Sequence, residues 1–429
     1  MIYIYVDQIS ERCIYTFDFL LKEYQIDYRL TNDVEVFSNY NGPKINYSYR
    51  FFEDVETIIP SSVLFDETIK AYEIELIEYQ HEDCFSFDGV VDPFASIFYV
   101  LTRMEEYLNA DFRDKHNRFP ANKSILFHYD LLNKLFCDRL CKAVINEWYS
   151  KGLLPNPFVA LDVTIVPTFD IDHAYAYRLK DFVRSILAKA RDFVDGNQTR
   201  IDERKLVLSG KMKDPYDTFD TILDIAENYP VHLFWLLGNY SKYDRNVAYS
   251  HTEHQALIEK MAEKCIVGIH PSYQSNTSTT LLGEEINRLE FILGEKVQNA
   301  RQHFLKMNLP FTYQELIKNG IEHDYTMGFA SEVGFRAGTL RAFSWFDLSK
   351  NRITNLTIHP FAYMDGTLLE YKNWSIDEAK TQIQQLFNEA KQFGGDFYFL
   401  WHNETIGDYG KWKGWKQVLD FTLKLKNDE

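Results

Sequence analysis

From residue 160 onward, short apolar runs of strand type alternate with helix-like segments, and this rhythm constrains the fold more than any other feature of the chain. The runs are "LDVTIVPTFD", "PVHLFWLLG", "CIVGIHPS", "VQNARQHFL", "HDYTMGF", "ITNLTIHPF" and "DFYFLWHN". Between most of them lie "TFDTILDIAENY", "EHQALIEKMAEK", "GEEINRLEFILGE", "TYQELIKNG" and "DEAKTQIQQLFNEAKQFG", and "KGWKQVLDFTLKLK" closes the chain. Strand–helix alternation predicts a parallel sheet, and this many repeats with no obvious edge favours a barrel. The stretch between "DIDHAYAY" and "DPYDTFD" is longer and more polar than the other crossovers and reads as an insertion.

The first 150 or so residues follow a different pattern. "MIYIYV" and "QIDYRL" read as strands with a helix between them. "DPFASIFYVLTRMEEYL" carries apolar residues at three- and four-residue spacing, and Asp92 followed by Pro93 makes a helix start. "ILFHYDLLNKLFCDRLCKAVINEWY" reads as a second amphipathic helix, and "SKGLLPNPF", with its Gly and two Pro, as a linker. The expected organisation is a mixed α/β domain over 1–152 and a barrel over 160–429.

Composition narrows the classes of function. A formal net charge of -17 argues against nucleic acid, whose binding draws on clustered Lys and Arg. No window approaches the roughly 18 to 20 apolar residues of a membrane span. The start "MIYIYVDQISERCIYTFDFL" lacks the pattern of a signal peptide. Five scattered cysteines form no disulfide framework, and Cys137 and Cys141, four apart, read as core packing. A reduced, cytoplasmic protein is expected.

Several strand-type runs end in polar groups. The first ends in Asp170 and Asp172, the third in His270, the fourth in Arg301 and His303, and the last in His402. In parallel α/β barrels chemistry gathers at the C-terminal ends of the strands. Residues two apart on a strand point to one face, so each pair is aimed together. Singly, an Asp here reads as an N-cap and a His as a hydrogen-bonded structural residue. Gathered at one mouth, carboxylates, imidazoles and a guanidinium are costly unless paired or metal-bound.

The order T-F-D, H-P-S-Y, R-x-x-F and L-x-H resembles the polysaccharide deacetylases of the NodB homology type, metal-dependent enzymes on a distorted (β/α)7 barrel. The similarity covers roughly residues 160 to 429, and the N-terminal region resembles the extra domain of a Bacteroidetes-type subgroup. The resemblance implies that Asp170 is the general base and Arg301 its partner. Asp172 becomes the metal-binding Asp, displaced by Ile171, and His270 the first metal-binding His. His402 becomes the general acid and Leu400 a pocket wall. Phe304 contributes a backbone N–H to the oxyanion site. The family's second motif ends in a further His where this chain has Gln274; His303 and His173 are both candidates for the missing ligand. "DYTMGFASEVGFRAGT" takes the place of the fourth motif and offers Asp324 and Arg336 as substrate contacts. Tyr175, Tyr177, Tyr273 and Trp401 are candidates to stack on a sugar ring, and Asn403 and Glu404 to bond its hydroxyls.

The expectation is a hydrolase that removes an N- or O-acetyl group from a carbohydrate, a precursor in cell-surface polysaccharide assembly. Its cofactor is a divalent cation, zinc first and nickel or cobalt as alternatives. Two other readings use the same residues: a non-catalytic carbohydrate-binding protein on a degenerate barrel, suggested by Gln274, and a hydrolase of non-sugar amides. The sequence leaves the sugar and the oligomeric state open.

Overall fold

The computed structural model of the protein describes residues 1–180 and 198–425. The expected insertion, residues 178–213, falls partly outside them. The first region holds a parallel sheet of β1 (Ile2–Val6), β2 (Tyr28–Thr31), β3 (Lys44–Tyr47) and β4 (Glu56–Thr57) in the order β2-β1-β3-β4. An antiparallel meander follows, made of β5 (Ile74–Tyr79), β6 (Glu82–Phe87) and β7 (Val90–Val91). The helix Pro93–Leu101 starts as its sequence requires: Asp92 caps it by accepting from the N–H groups of Phe94 and Ala95, with proline in the first turn.

Two expected helices are broken. The first stops at Leu101 and resumes at Met104–Leu108, because Arg103 takes a left-handed φ of 54°. Its guanidinium is buried there between Glu105 at 2.5 Å and Glu106 at 2.9 Å, and this local ion cluster overrides helix periodicity. The second divides into Ile125–His128 and Phe136–Ser150. Cys137 and Cys141 pack in the core from the latter, and all five cysteines are buried free thiols.

The second region forms a nine-stranded sheet: β8 (Val163–Ile171), β9 (His232–Trp235), β10 (Ile266–Ile269), β11 (Asn299–Ala300), β12 (His323–Asp324), β13 (Phe343–Asp347), β14 (Arg352–Ile358), β15 (Phe361–Met364) and β16 (Gly395–His402). The order is β13-β14-β12-β11-β10-β9-β8-β16-β15, and every neighbouring pair is parallel except β13–β14. The expected runs therefore form strands, but "VQNARQHFL" and "HDYTMGF" shrink to two residues each, and β13 and β15 were not foreseen. Among the described residues no helix is long and apolar enough to cross a membrane.

Period-two alternation sorts the side chains of these strands between two cores. Val166 on β8, Phe234 on β9, and Tyr398 and Leu400 on β16 join one cluster, which also holds Phe361 and Tyr325. Their neighbours Phe169, Ile171, Leu233, Trp235, Phe399 and Trp401 join the large cluster under the helices. Asp170 thus follows Val166 on the first face, and His402 follows Leu400. The register pairs Asp170 with His402, so the two strands end level.

The large cluster runs without a break into the N-terminal region, where Phe346 packs on Tyr15 and Phe98 at ring distances of 5.2 and 5.1 Å. Backbones meet at Gly334, which has φ +113 and where an added Cβ would lie 2.3 Å from the Leu132 carbonyl oxygen. We expect Gly334→Ala to cost about 1–3 kcal/mol in urea unfolding. Gly89→Ala, also at positive φ but with open space around it, should cost distinctly less; equal losses would show that the close approach carries no weight.

Candidate active site

Asp172 stands one residue beyond β8, His270 one beyond β10, and His303 in a turn after β11. Their ligand atoms all lie within 4.8 Å of one another. His270 Nε2 is 3.2 Å from Asp172 Oδ1, and His303 Nε2 is 3.2 Å from Asp172 Oδ2. Strand parity does not bring His303 here, since β11 ends at Ala300 and residues 303–305 form a 3-10 turn. The turn carries Phe304 at φ 61° and Leu305 at φ 52°, both left-handed without being glycine.

The far sides of both imidazoles are fixed. His270 Nδ1–H donates to the Arg301 carbonyl oxygen at 2.6 Å, and His303 Nδ1–H to Asp244 at 2.9 Å. Each ring therefore offers Nε2 to the common centre, the arrangement in which an outer acceptor fixes the tautomer of a metal-ligating histidine. Asp172 Oδ1 is a buried oxygen with no hydrogen bond among the described residues. A buried, unsatisfied carboxylate oxygen facing two imidazole nitrogens fits a divalent cation with N and O ligands, and three protein ligands with an open position suit a hydrolytic centre.

Charge follows from the same contacts. Burial works against ionising Asp172, but the charge of His303 and the contacts of both imidazoles hold its carboxyl well below the usual range. Burial likewise disfavours charge on His303, and Asp172 and Asp244 outweigh it, raising this imidazole to about 9 in the metal-free protein.

Asp170 accepts from Arg301 Nη1 at 3.0 Å. Arg301 is fully buried and also donates to Thr168 Oγ1 at 2.8 Å and to the Tyr325 carbonyl at 2.9 Å, with its guanidinium 4.5 Å from the Phe234 ring. Across the mouth, His402 Nδ1–H donates to Asp365 at 2.9 Å, and its Nε2 is 3.9 Å from Asp172. Burial opposes a proton on His402, yet Asp365, with Asp172 and Asp170, holds it well above the usual imidazole range. Asp170, Asp172, His270, His303, Asp365 and His402 line a cavity of about 180 Å³ with Phe304, Leu400, Glu404 and Arg118, and Arg301 stands behind Asp170 without lining it.

The structure separates the remaining candidates. His173 bonds Glu404 at 2.8 Å and lies outside the cluster, which leaves His303 beside Asp172 and His270. Gln274 is exposed. Trp401 is fully buried on the opposite face of β16 from Leu400 and His402, so it does not line the cavity. Arg336 is buried in a two-pronged pair with Glu106 at 2.7 and 2.9 Å and also falls outside it. Asp324 is fully buried, accepting from Tyr313 and Thr326. Tyr273 packs against Tyr243 and Phe304 beside the cavity, at 4.4 and 5.4 Å between rings, without lining it. Tyr175 and Tyr177 are buried, and Asn403 holds the His173 and Tyr216 carbonyls.

Two acids that hold the histidines of the site escaped the sequence. Asp365 follows β15, and the run "FAYMDG" contained the signal, an acid at the end of an apolar stretch. Asp244 lies in the loop "NYSKYDRN", which has no periodicity to place it.

Two outcomes are expected. Asp244→Asn should weaken cation binding by about 10- to 100-fold, as loss of such outer partners does, measured by competition with a chromophoric chelator. Because a proton and a cation compete for His303 Nε2, affinity should rise as pH rises toward about 9 and level off above it. An affinity unchanged between pH 6 and 9 would remove His303 from the ligand set.

In comparison with known proteins, a family model described as a family of unknown function (DUF7033) matches residues 2–151. No curated protein matches the chain in sequence. Among solved structures the chain is similar to Puue allantoinase at 11% identity and a TM-score of 0.40, over 66% of this chain and 91% of that one. It is similar to the polysaccharide deacetylase Bc1974 from Bacillus cereus at 10% identity and a TM-score of 0.32, over 61% and 86%. A family 4 carbohydrate esterase from Streptomyces lividans, in complex with acetate, gives 8% identity and a TM-score of 0.29, over 62% and 86%. These are likenesses of shape at low identity and carry no argument of their own about activity.

Proposed function

We propose that the protein is a metal-dependent hydrolase that removes an acetyl group from a carbohydrate, on a barrel of the distorted (β/α)7 kind spanning 160–429, preceded by a mixed α/β domain, 1–152, that shares its core. The observation that carries this reading is the convergence of three sets of groups on one cavity: Asp172, His270 and His303; Asp170 with Arg301; and His402 with Asp365. Asp172, His270 and His303 would hold the cation, which supplies Lewis acidity toward the acyl oxygen and acidifies water.

The chain's own residues do the rest. Asp170, 3.0 Å from Arg301 Nη1, takes the proton of the attacking water. His402, held protonated by Asp365, gives a proton to the leaving amine or alkoxide. The backbone N–H of Phe304 serves the developing oxyanion, and Leu400 walls the acetyl group. The free buried thiols support a reducing compartment, the cytoplasm, where the substrate is a precursor of surface polysaccharide. The reading as a retired, sugar-binding barrel rests on Gln274; the place of His303 beside Asp172 and His270 supports the catalytic one.

Acetate release from N- and O-acetylated sugars tests the reading. Asp170→Asn should abolish it, and His402→Ala should slow it by about a hundred- to ten-thousand-fold. An unchanged rate in Asp170→Asn would reject the assignment of the base.

A further inference from the structure

His303 reaches Asp172 and His270 from a turn bent into left-handed backbone at two consecutive residues, Phe304 at φ 61° and Leu305 at φ 52°. That conformation is costly for residues other than glycine and persists where the surroundings over-determine it. Part of the restraint is local. His303 N–H donates to the Pro271 carbonyl at 3.2 Å, and Leu305 N–H to the Gln302 carbonyl at 2.9 Å. Another part comes from the N-terminal region, 186 residues away in sequence.

We infer that the N-terminal region is a working part of the cation centre: Arg118 is a positioning residue that holds the 303–305 turn, and with it His303, in ligating place. This rests on the reading of Asp172, His270 and His303 as ligands. Arg118, 8% exposed, donates from Nη1 to the Phe304 carbonyl at 2.9 Å. Its Nε and Nη2 pair with Asp114 Oδ2 at 2.8 and 2.7 Å, and Nη2 also donates to Tyr371 Oη at 3.3 Å. Asp114 is set in its turn by the N–H groups of His116 at 2.8 Å and Arg118 at 3.0 Å, both on Oδ1. One planar guanidinium thus ties acceptors from three segments, which an ammonium on a flexible stem cannot do at once. His116 adds its ring against that of Phe304, 4.9 Å between centres.

Charge alone works in the opposite direction. Arg118 lines the same cavity as the three ligands, so its positive charge repels a bound cation. Neutralising it would also leave Asp114 unpaired and draw a cation more strongly. A role in holding the turn and a role through charge therefore predict effects of opposite sign.

The test is cobalt binding by the full chain, measured by competition with a chromophoric chelator, beside amide hydrogen exchange of the metal-free protein. Arg118→Gln should weaken cobalt binding by about tenfold or more, and Arg118→Lys, which keeps the charge, by about threefold or more. Without metal, both should speed exchange at residues 302–307 and leave 266–271 unchanged. Unchanged or tighter binding in Arg118→Gln, or wild-type binding in Arg118→Lys, overturns the inference. So does weaker binding with exchange at 302–307 unchanged, or raised equally in both segments, which marks a general loss of stability. Should Arg118→Gln fail to fold, Arg118→Lys decides by the same two measurements. Wild-type protein that binds no cobalt rejects the cation reading; exchange at 302–307 then shows by itself whether Arg118 holds the turn, faster in the variants if it does and unchanged if it does not.

Discussion

Two carboxylates two residues apart at the end of one buried strand are the constraint on which the rest of the structure depends. Asp170 is 2% exposed and Asp172 half-buried, in surroundings where like charges repel strongly and unpaired ones are costly. Each acid receives its own partner. Arg301 reaches Asp170 from the segment after β11, and the two imidazoles reach Asp172 from the loops after β10 and β11. Arg301 is itself fully buried; its Nη1 also donates to Thr168 and its Nε to the carbonyl of Tyr325, while Nη2 has no partner among the described residues. One guanidinium therefore ties β8 to the ends of β11 and β12. Removing one member of such a buried group leaves its partner uncompensated, so the acids and the groups that face them stand or fall together.

The same economy appears where the two regions of the chain meet. Arg103, Glu106 and Arg336 form a buried ion cluster across that boundary, and Arg103 also donates to the Arg336 carbonyl at 2.6 Å. Arg341 pairs with Asp138 at 2.6 Å in the same way. These contacts, with the aromatic packing of Tyr15, Phe98 and Phe346, join the N-terminal region to the nine-stranded sheet through one core. Arg118 carries that connection to the mouth of the cavity, through its bond to the Phe304 carbonyl beside His303.

Much of this was legible in the sequence, for physical reasons that can be named. A strand buried on both faces shows as a continuous apolar run, and a polar residue at its end is conspicuous; Asp170, His270 and His402 stood out for that reason. Strand parity was legible too, and it places Trp401 opposite His402, so nearness in sequence was a poor guide for that ring. What tertiary contact decides could not be read. His303 reaches the cluster through a left-handed turn, Arg336 is drawn to Glu106, 230 residues away, and Arg103 breaks a helix that periodicity alone would continue. Asp244, in an aperiodic loop, becomes an outer partner only when the fold brings it to His303.

The central claim is that Asp172, His270 and His303 hold one cation. Its most direct test is elemental analysis of the protein purified without chelator and then offered zinc, nickel and cobalt in turn. The account predicts about one tightly held divalent ion per chain, lost in His303→Ala. Protein that retains none of the three, or a His303→Ala variant that keeps its full complement, would contradict it.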